Sequence, residues 1–235
     1  MRWQEQPFFL VRKFSQGTNM AISACVVGAS GLVGRELIAQ LCDEAGVAAV
    51  HAMLRRPIDT LGASPTLIRH VVDFDQLAAA DWPACDAMFC CLGTTIKVAG
   101  SQAAFRHVDY DYVVQTARKA QQAGAKRLYV VSAMGANAHS AIFYNRVKGE
   151  MEAAISALGY DAVTIFRPSF LTGERTEQRA GESLALALLK VGNRLLPKKY
   201  RSVSAHAVAR TMVLASQQTA RGVQIVESDA MQPDA

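Results

Sequence analysis

The stretch that decides the fold is "GASGLVG", residues 28–34. It follows a short apolar run, "ISACVVG" (22–28), and opens a segment with helical spacing, "GRELIAQLCDEAG" (34–46), whose Leu37 and Leu41 share a face. Three glycines three residues apart at a strand-to-helix turn have separate physical uses. Gly28 permits the tight turn, Gly31 lets the backbone approach a pyrophosphate, and Gly34 lets helix pack on strand. The diphosphate would sit on the N-terminus of a helix starting near Leu32, where free N–H groups and the helix dipole favour negative charge. Ser30, Leu32 and Val33 are the other candidate contacts of this loop. A glycine triplet alone is a weak signal; the flanking strand and helix are the context it requires.

The same alternation continues outward. "VAAVHAML" (47–54), "LIRHVVDF" (67–74), "CDAMFCCLG" (85–93), "KRLYVVSA" (126–133) and "YDAVTIFRP" (160–168) read as strands. A long helix is predicted over 102–123, closed by Gly124, and a second on the stripe Phe143, Val147, Met151, Ala154, Leu158. Near-continuously apolar strands alternating with helices predict an α/β fold, a Rossmann-like doubly wound parallel sheet covered on both faces. Beyond Pro168 the order loosens into a small C-terminal, substrate-side extension, 168–235. It reads as a polar loop (172–182), an apolar helix (183–196), a basic turn, a helix (204–217) and a last strand (222–228). Residues 1–20 read as a flexible tail and 21–235 as a single dinucleotide-binding domain. The tail's apolar part is too short for a signal peptide, and no small-residue cleavage site follows it.

Composition agrees. A chain of 235 residues, 51% hydrophobic and 19% charged, can bury one sizeable core. No apolar run reaches the roughly 20 residues a bilayer requires. The net charge of +5 suits a phosphate-bearing ligand, although a solvated basic surface is the default reading of so modest an excess. The densest basic cluster, "KKYR" (198–201), falls short of the stripe a nucleic-acid binder shows, so none is expected. Cys25, Cys42, Cys85, Cys90 and Cys91 have no metal-ligand spacing and mostly lie in apolar runs. They read as buried thiols, hence a cytoplasmic protein.

Cofactor choice is read at the end of the second strand. An acidic residue about 20 positions past the glycines would select NAD through the ribose 2′-hydroxyl. Here the strand ends "LRRP", and Arg55 lies 21 residues past Gly34, with Arg56 next. Arginine there would meet a 2′-phosphate, so NADP(H) is expected. Asp73 would accept from the adenine amino group, with Phe74 along the ring. Leu92, Gly93 and Thr94 would line the cofactor where the fourth strand ends.

"YNRVK" (144–148) puts Tyr144 and Lys148 four apart on one helix face. An ammonium beside a phenol favours the phenolate. Tyr144 could then exchange a proton with a carbonyl or alcohol while hydride moves. Lys148 would also bind the nicotinamide ribose. With the glycine spacing and the Asp that ends the third strand, this pair resembles the short-chain dehydrogenase/reductase superfamily, in its extended and atypical members. More narrowly, "GASGLVGREL", "FCCLGTT", "VDYDYV", "YNRVKGEME" and "FRPSFL" are similar to the Tat-interacting-protein-type oxidoreductases. The resemblance covers about residues 21–217. It implies a Rossmann fold, NADP(H) binding and a Ser–Tyr–Lys site of Ser132, Tyr144 and Lys148.

The sequence departs from that pattern at the serine. In "VVSAMGA", Ser132 is the only hydroxyl, and Ala133 and Met134 stand where extended members often hold Ser or Thr. If Ser132 turns into the sheet, the catalytic hydroxyl is missing while cofactor binding stands. Two functions follow. One is an NADPH-dependent reductase of a small carbonyl or quinone-like compound. The other is a nucleotide-sensing protein acting through a protein partner. Arg167 is a candidate anion anchor unless a carboxylate pairs with it, and His206 reads as structural.

Overall fold

The computed structural model describes residues 21–172 and 196–232. The tail, most of the polar loop and nearly all of the apolar helix expected at 183–196 lie outside them. Six strands and their helices follow in the order expected: β1 (Ile22–Val27), α1 (Leu32–Asp43), β2 (Val47–Leu54), β3 (Leu67–Val71), β4 (Ala87–Cys90), α2 (Ile96–Ala99), α3 (Gln102–Arg106), α4 (Tyr112–Gln122), β5 (Arg127–Val131), α5 (Phe143–Ser156) and β6 (Ala162–Arg167). A short pair, β7 (Leu171–Thr172) and β8 (Val203–Ser204), precedes α6 (Ala205–Ser216) and β9 (Gly222–Glu227).

Seven strands form one sheet, ordered β3-β2-β1-β4-β5-β6-β9, and every pairing is parallel. The alternation along β1 shows why both faces must be covered. Ala24 and Val26 pack under α1 and α6 with Leu37, Leu41, Val208 and Met212. Cys25 and Val27 face the other way, into Val113, Ala117, Met151 and Ile155 of α4 and α5. The strand order reverses between β1 and β4, which opens a crevice at their C-terminal ends.

Two boundaries differ from the sequence reading. The third strand stops at Val71, because the Asp73 side chain accepts from Asp75 N at 2.9 Å and caps a 3-10 turn, Phe74–Gln76. The helix expected over 102–123 is interrupted by one π turn, His107–Asp111, between α3 and α4. Such turns concentrate at functional sites.

Candidate functional site

The glycine loop joins β1 to α1 at the crevice. Gly28 has φ +79°, and a Cβ there would stand 2.5 Å from the Cys91 carbonyl carbon. A Cβ on Gly34 would stand 2.2 Å from Gly28 O, so no side chain fits between helix and strand. Gly31 differs. Its φ of −73° is ordinary, its N–H donates to Gly28 O at 2.9 Å, and an added Cβ would lie 3.1 Å from that oxygen. Gly31 is the N-cap of α1 and offers no side-chain oxygen to the first helical turn. A helix start held against the sheet and lacking a side-chain cap suits a diphosphate, so the residues present fit the dinucleotide that the loop implies.

Arg55 and Arg56 follow β2, both exposed. Neither forms a hydrogen bond or ion pair with another described residue, although Arg55 acts electrostatically on Asp75 and Tyr112. Asp75 lies beside Asp73 and binds Tyr112 Oη at 2.5 Å and His107 Nε2 at 3.1 Å. The Tyr112 and His107 hydrogen bonds hold its carboxyl below the usual range. Phe74 corrects the sequence reading. Its side chain is buried, edge-on to Tyr112 at 5.6 Å, so the ring face is not offered to an adenine. Asp73 remains exposed.

On the other side of the switch point, Leu92, Gly93 and Thr94 follow β4. They cover a buried ion pair: Lys148 Nζ lies 2.7 Å from Asp109 Oδ1, with the two side chains 3% and 0% exposed. The approach is close but not aligned as a hydrogen bond to Oδ1. Asp109 Oδ2 accepts from Thr94 N at 2.9 Å. Burial pulls the lysine's pKa down, but Asp109 and then Tyr144 push it up, and the net value is raised. Lys148 is thus buried and already paired with Asp109. Tyr144 is half-buried, its ring 5.2 Å from that of Phe105, and close enough to act electrostatically on Lys148.

Ser132 does not join them. Its Oγ donates to Glu152 Oε1 at 2.5 Å, and its side chain is buried. Glu152 is also gripped by Arg167, through Nη2 at 2.6 Å and Nε at 3.1 Å. Arg167 reaches Glu227 at 3.3 Å as well. The serine hydroxyl and the candidate anion anchor are both spent on one internal carboxylate.

His206 Nδ1 lies 3.0 Å from Glu36 Oε2 at the surface. Cys90 is buried, which pushes its thiol up to about 11, and Cys91 is raised for the same reason. These are packing thiols.

Sequence reasoning missed Asp109 and Glu152, yet both leave a trace. Asp109 falls four residues after Phe105 and four before Val113, on the buried stripe of its helix, where an acid implies a partner. Glu152 extends Tyr144 and Lys148 by four more residues along one helix face.

The parallel sheet and the glycine loop at its switch point together define a Rossmann-like α/β protein of the dinucleotide-binding type. The chain belongs to the NAD(P)H-binding family, whose profile matches residues 28–219. It is 37% identical over 166 residues to Protein HTATIP2 of Rattus norvegicus, covering 69% of this chain and 68% of that protein. It is 34% identical over 177 residues to Protein FMP52, mitochondrial, of Coccidioides immitis, covering 70% and 72%. Among solved structures, MoeE5 in complex with UDP-glucose and NAD superposes with a TM-score of 0.64 at 16% identity, over 89% of this chain and 79% of that one. UDP-glucose 4-epimerase from Thermotoga maritima superposes with 0.65 at 13%, over 88% and 77%. These two show the fold alone.

The cytoplasmic location expected from the cysteines is overturned by the relatives. Several, from Coccidioides immitis, Candida albicans and Scheffersomyces stipitis, are named as mitochondrial proteins. Free thiols report a reducing environment and not which compartment supplies it. No helix among the described residues is long and apolar enough to cross a membrane.

Proposed function

We propose that the protein is an NADP(H)-dependent reductase of a small carbonyl or quinone-like compound. The observation that carries the cofactor choice is the pair Arg55 and Arg56, exposed after β2 with no acid in the NAD-selecting position. A guanidinium there binds a 2′-phosphate by charge-assisted hydrogen bonds. The loop 28–34 would hold the diphosphate on α1. Asp73 and the Phe74 backbone would edge the adenine. Leu92, Gly93 and Thr94 would lie along the nicotinamide half. NADPH would supply hydride; Tyr144 would give the proton to the carbonyl oxygen. Lys148, held cationic by Asp109, would stabilise the phenolate left behind. Val98, Ile142 and Phe170 are exposed, large apolar side chains on segments that follow β4, precede α5 and follow β6. They suit a small apolar substrate.

Titration of both nucleotides by fluorescence, then a carbonyl-compound screen following NADPH absorbance, tests this reading. Tighter binding of NADPH than NADH, with turnover of at least one compound, is expected. Equal affinities would remove the cofactor choice.

The second reading, a nucleotide sensor acting through a protein partner, is favoured by Ser132, whose hydroxyl is taken by Glu152. On that reading NADPH binds but no compound is turned over.

A further inference from the structure

We propose that Asp75 and His107 together set how strongly the site prefers NADP(H) over NAD(H). Asp75 places a negative charge beside Arg55, the reader of the 2′-phosphate, and a proton on His107 offsets that charge. This rests on the reading that Arg55 meets the 2′-phosphate, and it makes that contact responsive to pH.

Backbone pairing brings the charges to one corner. Strands β2 and β3 run parallel and end together, with Leu54 opposite Val71. Val72 N–H donates to Leu54 O at 2.8 Å, so Arg55 leaves β2 next to the turn that carries Asp73 and Asp75. Asp73 accepts from Asp75 N and is committed to that turn. The Asp75 carboxylate instead accepts from Tyr112 Oη and meets His107 Nε2 at 3.1 Å. Its side chain is 68% exposed, so the charge is fixed in place without being buried. Arg55 is near enough to act on both Asp75 and Tyr112.

His107 stands between two carboxylates. Its Nε2 meets Asp75, its Nδ1 lies 3.3 Å from Asp111 Oδ2, and its ring packs on Tyr112 with 4.4 Å between centroids. Ionised carboxylates only accept, so the imidazolium, a donor at both nitrogens, is the form that satisfies them together. The Asp75 hydrogen bond accordingly raises the His107 pKa above its ordinary value of about 6.5. The charged and titratable groups around the ring are Asp111 from its own turn, Tyr112 from α4, Asp75 from the turn after β3, and Arg55 beyond Asp75. Where α5 meets the π turn, its Lys148 is paired with Asp109. Below the His107 pKa, the imidazolium answers Asp75 and leaves the Arg55 charge for the phosphate. Above it, the Asp75 charge falls on Arg55 and opposes the incoming phosphate. A nucleotide without the 2′-phosphate meets neither effect strongly.

The test is calorimetric titration of the full chain with NADPH and with NADH, at low ionic strength and at pH 6 and 8.5. The proteins are the unmodified chain, Asp75→Asn and His107→Gln, both substitutions at exposed positions. Asparagine still accepts from Tyr112 Oη but carries no charge. At pH 8.5, Asp75→Asn should raise the NADPH-to-NADH affinity ratio about threefold or more, with NADH itself within about twofold. His107→Gln keeps a donor for Asp75 and cannot take a proton. The 2′-phosphate titrates at about pH 6 with either protein, so its effect is common to both. Relative to His107→Gln, the ratio in the unmodified protein should gain about threefold from pH 8.5 to pH 6. A ratio unchanged by Asp75→Asn, including by equal loss of both nucleotides, would overturn the proposal and leave an NADPH preference standing. So would a pH response that His107→Gln shares. Equal affinities in the unmodified protein would overturn the cofactor choice and the proposal with it.

Discussion

The two halves of the crevice are built on different principles. On the side proposed for the adenosine half, the decisive features are backbone: Gly28 at φ +79°, Gly34 with no room for a Cβ, and an α1 start without a side-chain cap. On the nicotinamide side they are side chains answered by distant partners: Lys148 by Asp109, 39 residues earlier (148 − 109), and Ser132 by Glu152. A backbone device is specified by residues adjacent in sequence. A side-chain device depends on which neighbour the fold delivers. The first half therefore tolerates no added carbon at Gly28 or Gly34, whereas the second is set by side-chain charge and chemistry.

The largest effect should separate two glycines of one loop. Gly28→Val forces a β-branched residue to positive φ with its Cβ 2.5 Å from the Cys91 backbone. It should cost at least about 3 kcal/mol in denaturant unfolding, or prevent folding. Gly31→Val, at ordinary φ, should fold and yet lose dinucleotide affinity by more than about tenfold, because the side chain stands where the diphosphate meets the backbone. Near-native affinity of Gly31→Val by calorimetry would mean the diphosphate lies elsewhere.

On the nicotinamide side, Tyr144→Phe removes one hydroxyl and keeps the ring against Phe105. Once a substrate is in hand, turnover should fall about 10²–10⁴-fold with nucleotide affinity barely changed. Unchanged turnover would remove this tyrosine from the chemistry and favour the sensor reading.

A smaller effect is expected at Arg55. Arg55→Glu replaces a phosphate partner with a repelling charge and should lower NADPH affinity by about 1.5–3 kcal/mol, with NADH little affected. An equal loss for both nucleotides would show that Arg55 supports the loop rather than reading the 2′ position.

Ser132→Ala is the sharpest comparison within the half that carries Tyr144 and Lys148. The hydroxyl donates to Glu152, which keeps both bonds from Arg167. Stability should fall by about 1 kcal/mol, and turnover should stay within about threefold of the unmodified protein. A hundredfold loss of turnover at unchanged stability would return the serine to the reacting atoms.

The same division explains what was legible beforehand. The sheet, its parallel sense and the glycine turn could be read because apolar runs, turn residues and helix periodicity are local signals. Asp73 follows the third strand, but that strand was read three residues too long. Its own side chain turns the backbone there, which an apolar count does not register. Phe74 is expected along an adenine ring because it ends a strand, whereas Tyr112, 38 residues on (112 − 74), packs edge-on against its buried side chain. Ser132 and Arg167 were each left with two readings, and Glu152 decides both. The π turn that carries Asp109 was invisible, since one extra residue in a helix leaves its apolar pattern nearly intact.

The smallest predicted effect concerns pH, and it again separates the halves. His51 on β2 and His70 on β3 share a hydrogen bond, Nδ1 to Nε2 at 2.9 Å, which requires one ring to accept. Burial lowers both pKa values, His51's further through the neighbouring His70. A base with a depressed folded pKa binds its proton more readily when unfolded. Its stabilisation is therefore full above the unfolded value, about 6.5, and is lost as pH falls through the folded one. His107, raised by Asp75, runs the opposite way, but it sits at the exposed surface where solvent screens it. Lys148, also raised, holds its contribution until strongly alkaline pH. Acidification from pH 7.5 to 5 should thus loosen β2 and β3 while β4 and β5 keep their protection, as amide hydrogen exchange would record strand by strand. His70→Gln should flatten the response of β2 and β3. Equal loss of protection in all four strands would mean that the sheet responds as one body and that the histidine pair does not set its acid limit.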